Sequence, residues 1–120
     1  MIHRLTLGHL DPIAIIRDRM VAVQEPLDMA IVHRLLAELG KVDTEGRWTL
    51  DDDAVTFHDG YLVIPWQGGW RNRIAEEFAL RLHRDTDCVL ADREHARVIA
   101  PEQLQGLRED SAREPGIIKV

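Results

Sequence analysis

Alternating apolar and polar residues around a two-residue turn predict a β-hairpin between positions 55 and 64. Asp59-Gly60 is a preferred type I′ turn, in which both central residues take a positive φ. The turn sets the register of strands Val55–His58 and Tyr61–Ile64, because a slip of one residue would move every side chain to the other face. One face is then wholly apolar and is predicted to lie in the core, with residues Val55, Phe57, Leu62 and Ile64.

Apolar residues at helical spacing predict three longer helices, over Pro12–Val23, Pro26–Leu39 and a segment from Trp70 or Arg71 to Arg84. The predicted buried stripe of the first helix consists of Ile13, Ile16, Met20 and Val23, widened by Ile15, Val21 and Ala22. A strand over Met20–Gln24 is an alternative for the end of this segment. The third helix is strongly amphipathic, and its inward face is formed by Trp70, Ile74, Phe78 and Leu82. Its opposite face is predicted to lie in water, supported by i,i+4 pairs, with residues Arg73, Glu76, Glu77, Arg81 and Arg84.

Three shorter apolar runs predict further strands at Trp48–Leu50, Cys88–Ala91 and Arg97–Ile99. Ile2–Leu7 is a weaker strand candidate, because Ile2 is out of phase with the residues after it. The predicted fold class is α+β, with a small, mostly antiparallel sheet of about five strands covered by about three helices. A single domain is expected over residues 1–110, with a short helix from Pro101 to about Arg108 and a polar, mobile tail over residues 111–120.

The charge is unevenly distributed over the 120 residues. The formal net charge is −6, and residues 1–60 contain 6 Lys/Arg against 11 Asp/Glu. This acidic half argues against binding to nucleic-acid backbones and would suit a basic partner. The apolar runs are too short to span a membrane, and no signal peptide is evident, so a cytoplasmic location is expected. Cys88 is the single cysteine, which leaves no internal disulfide.

The junction between the hairpin and the third helix is the best candidate for a binding site. Glycines allow a close approach of backbone to a ligand, tryptophan rings can stack, and a helix start can hold an anion. The candidate residues, for either a ligand or a partner, are His58, Trp66, Gln67, Gly68, Gly69, Trp70, Arg71 and Arg73. An alternative interpretation is that both tryptophans anchor the core and the glycines only permit a tight turn.

No pattern in the sequence specifies a catalytic residue, a metal site or a cofactor. The contiguous Asp51-Asp52-Asp53 lacks the alternating ligands of a calcium loop and is interpreted as a solvated turn. His58 could act in acid–base chemistry with Asp59 or Tyr61, although a solvent-exposed histidine is the commoner outcome. A set of metal-ligand residue types matches no zinc spacing and is interpreted as a surface turn rich in Asp, whereas its cysteine heads an apolar strand and is expected to be buried; the residues are His83, Asp85, Asp87, Cys88, Asp92 and His95.

These observations favour a non-enzymatic protein that binds another, basic protein. An immunity or antitoxin-type inhibitor is one concrete form. The alternative is a binding protein or minor enzyme that takes an anionic small molecule with the Trp66–Arg73 loop and His58. Ile117–Val120 or the hairpin could supply an exposed edge strand for pairing, so a homodimer is a further option.

Overall fold

The computed structural model describes residues 3–66 and 72–104. In these ranges the chain has the predicted α+β fold. Its helices are α1 (Pro12–Asp18), α2 (Met29–Leu39) and α3 (Arg73–Thr86), and residues 101–104 begin a further helical segment. Its strands are β1 (Arg4–Leu10), β2 (Val23–Glu25), β3 (Lys41–Val42), β4 (Trp48–Leu50), β5 (Asp53–Ala54), β6 (Thr56–Phe57), β7 (Tyr61–Pro65), β8 (Val89–Asp92) and β9 (Arg97–Ile99).

Strand β1 occupies the centre of the main sheet, whose order is β6-β7-β1-β8-β9 with β2 paired to β1. Strands β3, β4 and β5 form a second, smaller sheet, and all strand pairs in both sheets are antiparallel. The sequence pattern predicted β1 only weakly. Residues 5–8 of this strand are buried on both faces, so apolar and polar residues do not alternate along it.

The two faces of the main sheet are covered differently. Leu5 and Leu7 of β1 join the main core, which contains apolar side chains of α2 and α3. On the opposite face, Leu10 and Ala91 form a smaller cluster with Ile15 of α1. The short helix α1 leaves part of this second face uncovered. No helix in the described ranges combines the length and the apolar character needed to cross a membrane.

Helix α1 is shorter than predicted and buries a different face. Asp11 caps its start, accepting a hydrogen bond from the Ile13 backbone N–H at 3.0 Å, but Arg19 takes a left-handed conformation (φ 56°) that ends the helix. The chain then forms β2 instead of a continuing helix. The predicted stripe is wrong: Ile13, Ile16 and Met20 are 60%, 54% and 59% exposed, and Val23 is 37% exposed. Ile15, predicted only to widen that stripe, is the residue of α1 that is buried, because so apolar a segment offers several helical stripes and only tertiary contact selects one.

The hairpin has the predicted register, but its turn differs from the predicted type. Phe57 pairs with Leu62, as expected. Gly60 has a positive φ of 88°, whereas Asp59 does not, so the turn is not type I′. Positive φ at both central positions occurs instead at Asp51 (53°) and Asp52 (70°), in the two-residue connection between β4 and β5. Phe57 is 40% exposed on the edge strand β6, where its ring lies beside that of His33 of α2, with the centroids 6.3 Å apart.

The helices α2 and α3 lie side by side and are joined by ion pairs across their interface. Helix α2 begins at Met29 with Asp28 as its cap, three residues later than predicted. Arg81 of α3 pairs with Glu38 of α2 at 2.7 Å, and Arg34 of α2 pairs with Asp85 of α3 at 3.0 Å. These contacts replace the i,i+4 pairs predicted along α3. Glu76 is buried, contrary to the expectation that it faces water.

Candidate functional site

The structure describes three of the eight site residues predicted from the sequence, namely His58, Trp66 and Arg73. The other five lie outside the described residues: Gln67, Gly68, Gly69, Trp70 and Arg71. Trp66 is 1% exposed and belongs to the main core beneath α2 and α3, and its indole Nε1 has no hydrogen-bond partner among residues 3–66 and 72–104. Arg73 is exposed at the first position of α3, and His58 is exposed just beyond the end of β6. The structure therefore separates His58 from Trp66, which packs against the helix-covered face of the sheet.

The start of α3 is occupied by a carboxylate of the chain itself. Asp51 accepts hydrogen bonds from the backbone N–H groups of Ile74 (3.2 Å) and Ala75 (2.8 Å). Free N–H groups at this position would attract an anion, and Asp51 supplies that negative charge internally. The turn predicted at Asp51 is present, but the prediction did not include the bonds from its carboxylate to the start of α3. Its role depends on the β4–β5 turn meeting α3, which local sequence does not indicate.

A groove of about 580 Å³ opens on the sheet face opposite α2 and α3. Its floor crosses three strands, where Val63 of β7 pairs with Thr6 of β1 on one side and with Thr56 of β6 on the other. The described residues that line it are Arg4, Thr6, Arg19, Thr56, His58, Val63, Arg93 and Glu94. We call this the arginine groove. Of the sequence-predicted site residues, His58 is the one that lines it.

Three arginines give the groove its positive charge. Arg4 lies on β1, Arg19 ends α1, and Arg93 lies in the turn after β8. None of the ion pairs between described residues involves these three side chains. Arg93 is tied to the neighbouring element, because its Nε donates a hydrogen bond to the Arg19 backbone oxygen at 3.1 Å. Glu94 adds one carboxylate to the lining.

Asp92 organises the turn that carries Arg93 and Glu94. Its carboxylate is fully buried and accepts hydrogen bonds from the Arg97 Nε at 3.0 Å and the His95 backbone N–H at 3.3 Å. The His95 Nδ1 lies 2.7 Å from the same carboxylate. Sequence analysis interpreted Asp92 and His95 as part of a solvated turn. The burial of Asp92 corrects that interpretation, because these bonded donors compensate a carboxylate that has lost its water.

A stacked pair of rings lies at the end of the groove that is farthest from Arg4. The rings of His58 and Tyr61 lie parallel, with their centroids 4.7 Å apart and an interplanar angle of 7°. Tyr61 pairs with Gly8 across the β1–β7 ladder. A Cβ at Gly8 would lie 2.8 Å from the Tyr61 Cβ, so glycine is needed for Tyr61 to take this position. The imidazole of His58 is thus held against a fixed neighbour rather than free in solvent.

The predicted metal-type residues around the end of α3 have other partners. The His83 Nδ1 lies 2.7 Å from the Cys88 backbone oxygen. Asp85 contacts Arg84 and Arg34, and the hydrogen bond from Arg84 holds the pKa of its carboxyl below the ordinary value. Burial raises the pKa of the Cys88 thiol. Within residues 3–66 and 72–104, no three His, Cys, Asp or Glu side chains are grouped to hold a metal ion.

Sequence analysis did not single out Arg4, Arg19 or Arg93. They are far apart along the chain and match no local motif, and their meeting depends on β1 pairing with β7 and β8. A firm prediction of β1 as the central strand would have been the signal that could bring them together. Comparison with known proteins finds no matching family model, no matching curated protein and no matching solved structure.

Proposed function

We propose that this protein binds an anionic small molecule in the arginine groove. The observation that carries the proposal is a groove lined by three arginines, none of which forms an ion pair with a carboxylate of residues 3–66 or 72–104. Guanidinium groups bind phosphate and carboxylate groups in a planar, two-bond geometry. The volume of about 580 Å³ is in the range of small-molecule sites, roughly 300–1,000 Å³.

The polar floor supports the same assignment. Thr6 and Thr56 are on either side of Val63, so two hydroxyl groups flank an apolar surface beneath the charged rim. Hydroxyls donate to phosphate oxygens and also accept from ligand hydroxyls. The proposal takes up the anionic ligand of the alternative sequence interpretation, together with His58, and relocates the site from the Trp66–Arg73 loop to the open sheet face. The proposed function is ligand binding, and no chemical reaction is proposed for the groove.

Calorimetric titration with pyrophosphate tests the proposal. We expect binding to the wild-type protein and at least about tenfold weaker binding to Arg4→Gln and Arg93→Gln, because a bond to a charged group contributes about 1.5–3 kcal/mol. Arg17→Gln and Arg73→Gln are matched controls, since both arginines are exposed and neither lines the groove. No binding at millimolar pyrophosphate, or equal losses in the groove and control variants, would contradict the proposal.

A second candidate function is binding of another protein through α1, as in an immunity or antitoxin-type inhibitor. The observation that favours it is the exposure of Ile13, Ile16 and Met20 on one small helix and the residues after it. Exposed apolar side chains in a cluster often mark an interaction surface. The acidic residues of the first 60 positions would suit a basic partner.

Co-purification from the native host, followed by reconstitution with the identified partner, tests this candidate. We expect Ile13→Asp/Ile16→Asp to lose the partner and Arg17→Asp, on the same helix, to retain it. Light scattering on the purified wild type distinguishes a second copy of the chain from a different protein. Equal partner affinity in both variants would exclude α1 as the binding surface.

A further inference from the structure

The arginine groove has two chemically different ends. In the β1–β7 ladder, Arg4 pairs with Pro65 and Gly8 pairs with Tyr61, so these two rows are four residues apart along the strands. At about 3.3 Å per residue the separation is roughly 13 Å. Arg4 therefore lines one end of the groove, and the stacked His58–Tyr61 pair lies at the other.

The arginines cluster at the end marked by Arg4. Thr6 pairs with Ala91 in the antiparallel β1–β8 ladder, so β8 ends toward Arg4, and Arg93 follows in the turn directly after that end. The hydrogen bond from the Arg93 Nε to the Arg19 backbone oxygen brings the end of α1 to the same place. A dianionic group at this end would contact guanidinium groups from three separate elements. A single guanidinium group would bind the same dianion only weakly.

The opposite end presents a flat aromatic surface. Tyr61 is half-buried over Gly8, and His58 lies parallel to it and lines the groove. Because His58 is exposed and only one face of its imidazole is stacked on Tyr61, the other face can take a third ring in the same stack. Planar heteroaromatic rings stack on such surfaces with little dependence on their identity. The hydroxyls of Thr6 and Thr56 lie between the two ends, where a ligand would carry its linking atoms.

Resting on the function proposed above, we infer that the ligand is a phosphate ester of a compound with a planar aromatic ring, such as a mononucleotide. The phosphate contacts Arg4, Arg19 and Arg93, and the ring stacks on His58. Thr6 and Thr56 contact the polar atoms between them. A phosphate alone would use only the arginine end of the groove, and a sugar phosphate would add the two threonines but not the stacked rings.

Calorimetric titrations with adenosine 5′-phosphate and ribose 5-phosphate test this inference, because the two probes share a phosphate and a sugar and differ in the ring. We expect the nucleotide to bind about tenfold tighter to the wild type. His58→Ala should remove most of that preference while leaving the affinity for ribose 5-phosphate unchanged. His58→Phe keeps a planar ring and should retain the preference, provided its circular dichroism spectrum matches that of the wild type.

The outcomes separate this inference from the proposed function. Equal affinities for the two probes, both weakened by Arg4→Gln, would overturn the aromatic ligand and leave the anion site standing. A preference that survives in His58→Ala would also overturn the role of His58. Absence of binding by either probe and by pyrophosphate would overturn both proposals.

Discussion

Bonded carboxylates organise several turns in the described part of this chain. Asp43 accepts hydrogen bonds from the backbone N–H groups of Glu45 and Arg47, each at 2.9 Å, and the bond from Arg47 is the main cause of the lowered pKa of its carboxyl. Asp51 holds the start of α3, and Asp92 holds the turn that carries Arg93. Aspartate suits these places because its short side chain reaches nearby backbone donors.

Asp51 and Asp52 allow the strength of one such contact to be measured. Both residues have positive φ, so alanine introduces the same kind of backbone strain at each position. Only Asp51→Ala also removes the acceptor for the N–H groups of Ile74 and Ala75. We expect Asp51→Ala to lower the free energy of unfolding by about 1 kcal/mol more than Asp52→Ala does, in urea denaturation. Equal losses would show that the bonds to Asp51 contribute nothing to α3.

The elements with strong local determinants were predictable from the sequence. The hairpin register followed from alternation and a two-residue turn, and α3 followed from apolar residues at helical spacing. The predicted inward face of α3 is correct for Phe78 and Leu82, which are buried, and wrong for Ile74, which is 36% exposed. The end of α1 was not predictable from the sequence, because Arg19 has no intrinsic preference for the left-handed conformation that it takes. The buried face of α1 was also unpredictable, since that choice depends on which side the sheet contacts.

Adjacent isoleucines in α1 test the corrected assignment of its faces. Ile15 is fully buried against Leu10 and Ala91, whereas Ile16 is about half exposed. Ile15→Ala should therefore destabilise the protein by about 2–5 kcal/mol, and Ile16→Ala should change the free energy of unfolding by less than about 0.5 kcal/mol. The two variants share the same helix propensity, so thermal or urea unfolding reports packing alone. A larger loss in Ile16→Ala would restore the stripe predicted from the sequence.

At the scale of the whole molecule, the candidate site depends on tertiary structure throughout. The arginine groove draws residues from β1, the end of α1, the hairpin and the turn after β8. His58 could be predicted because it lies in a hairpin that neighbouring residues of the sequence specify. It missed the arginines because each one, taken alone, resembles an ordinary surface residue. The groove also shows that a net charge of −6 does not describe every part of the surface.

The net charge of the protein is negative, whereas the arginine groove is positively charged. This difference predicts how ionic strength changes the affinity of the groove for an anion. Between 0.1 M and 1 M salt the Debye length falls from about 10 Å to about 3 Å, which weakens attraction between the arginines and a bound anion. We expect pyrophosphate affinity, measured by calorimetry, to fall over this range, with a shallower slope in Arg4→Gln and an unchanged slope in Arg17→Gln. Affinity that rises with salt throughout would mean that repulsion by the acidic surface, rather than attraction in the groove, governs binding.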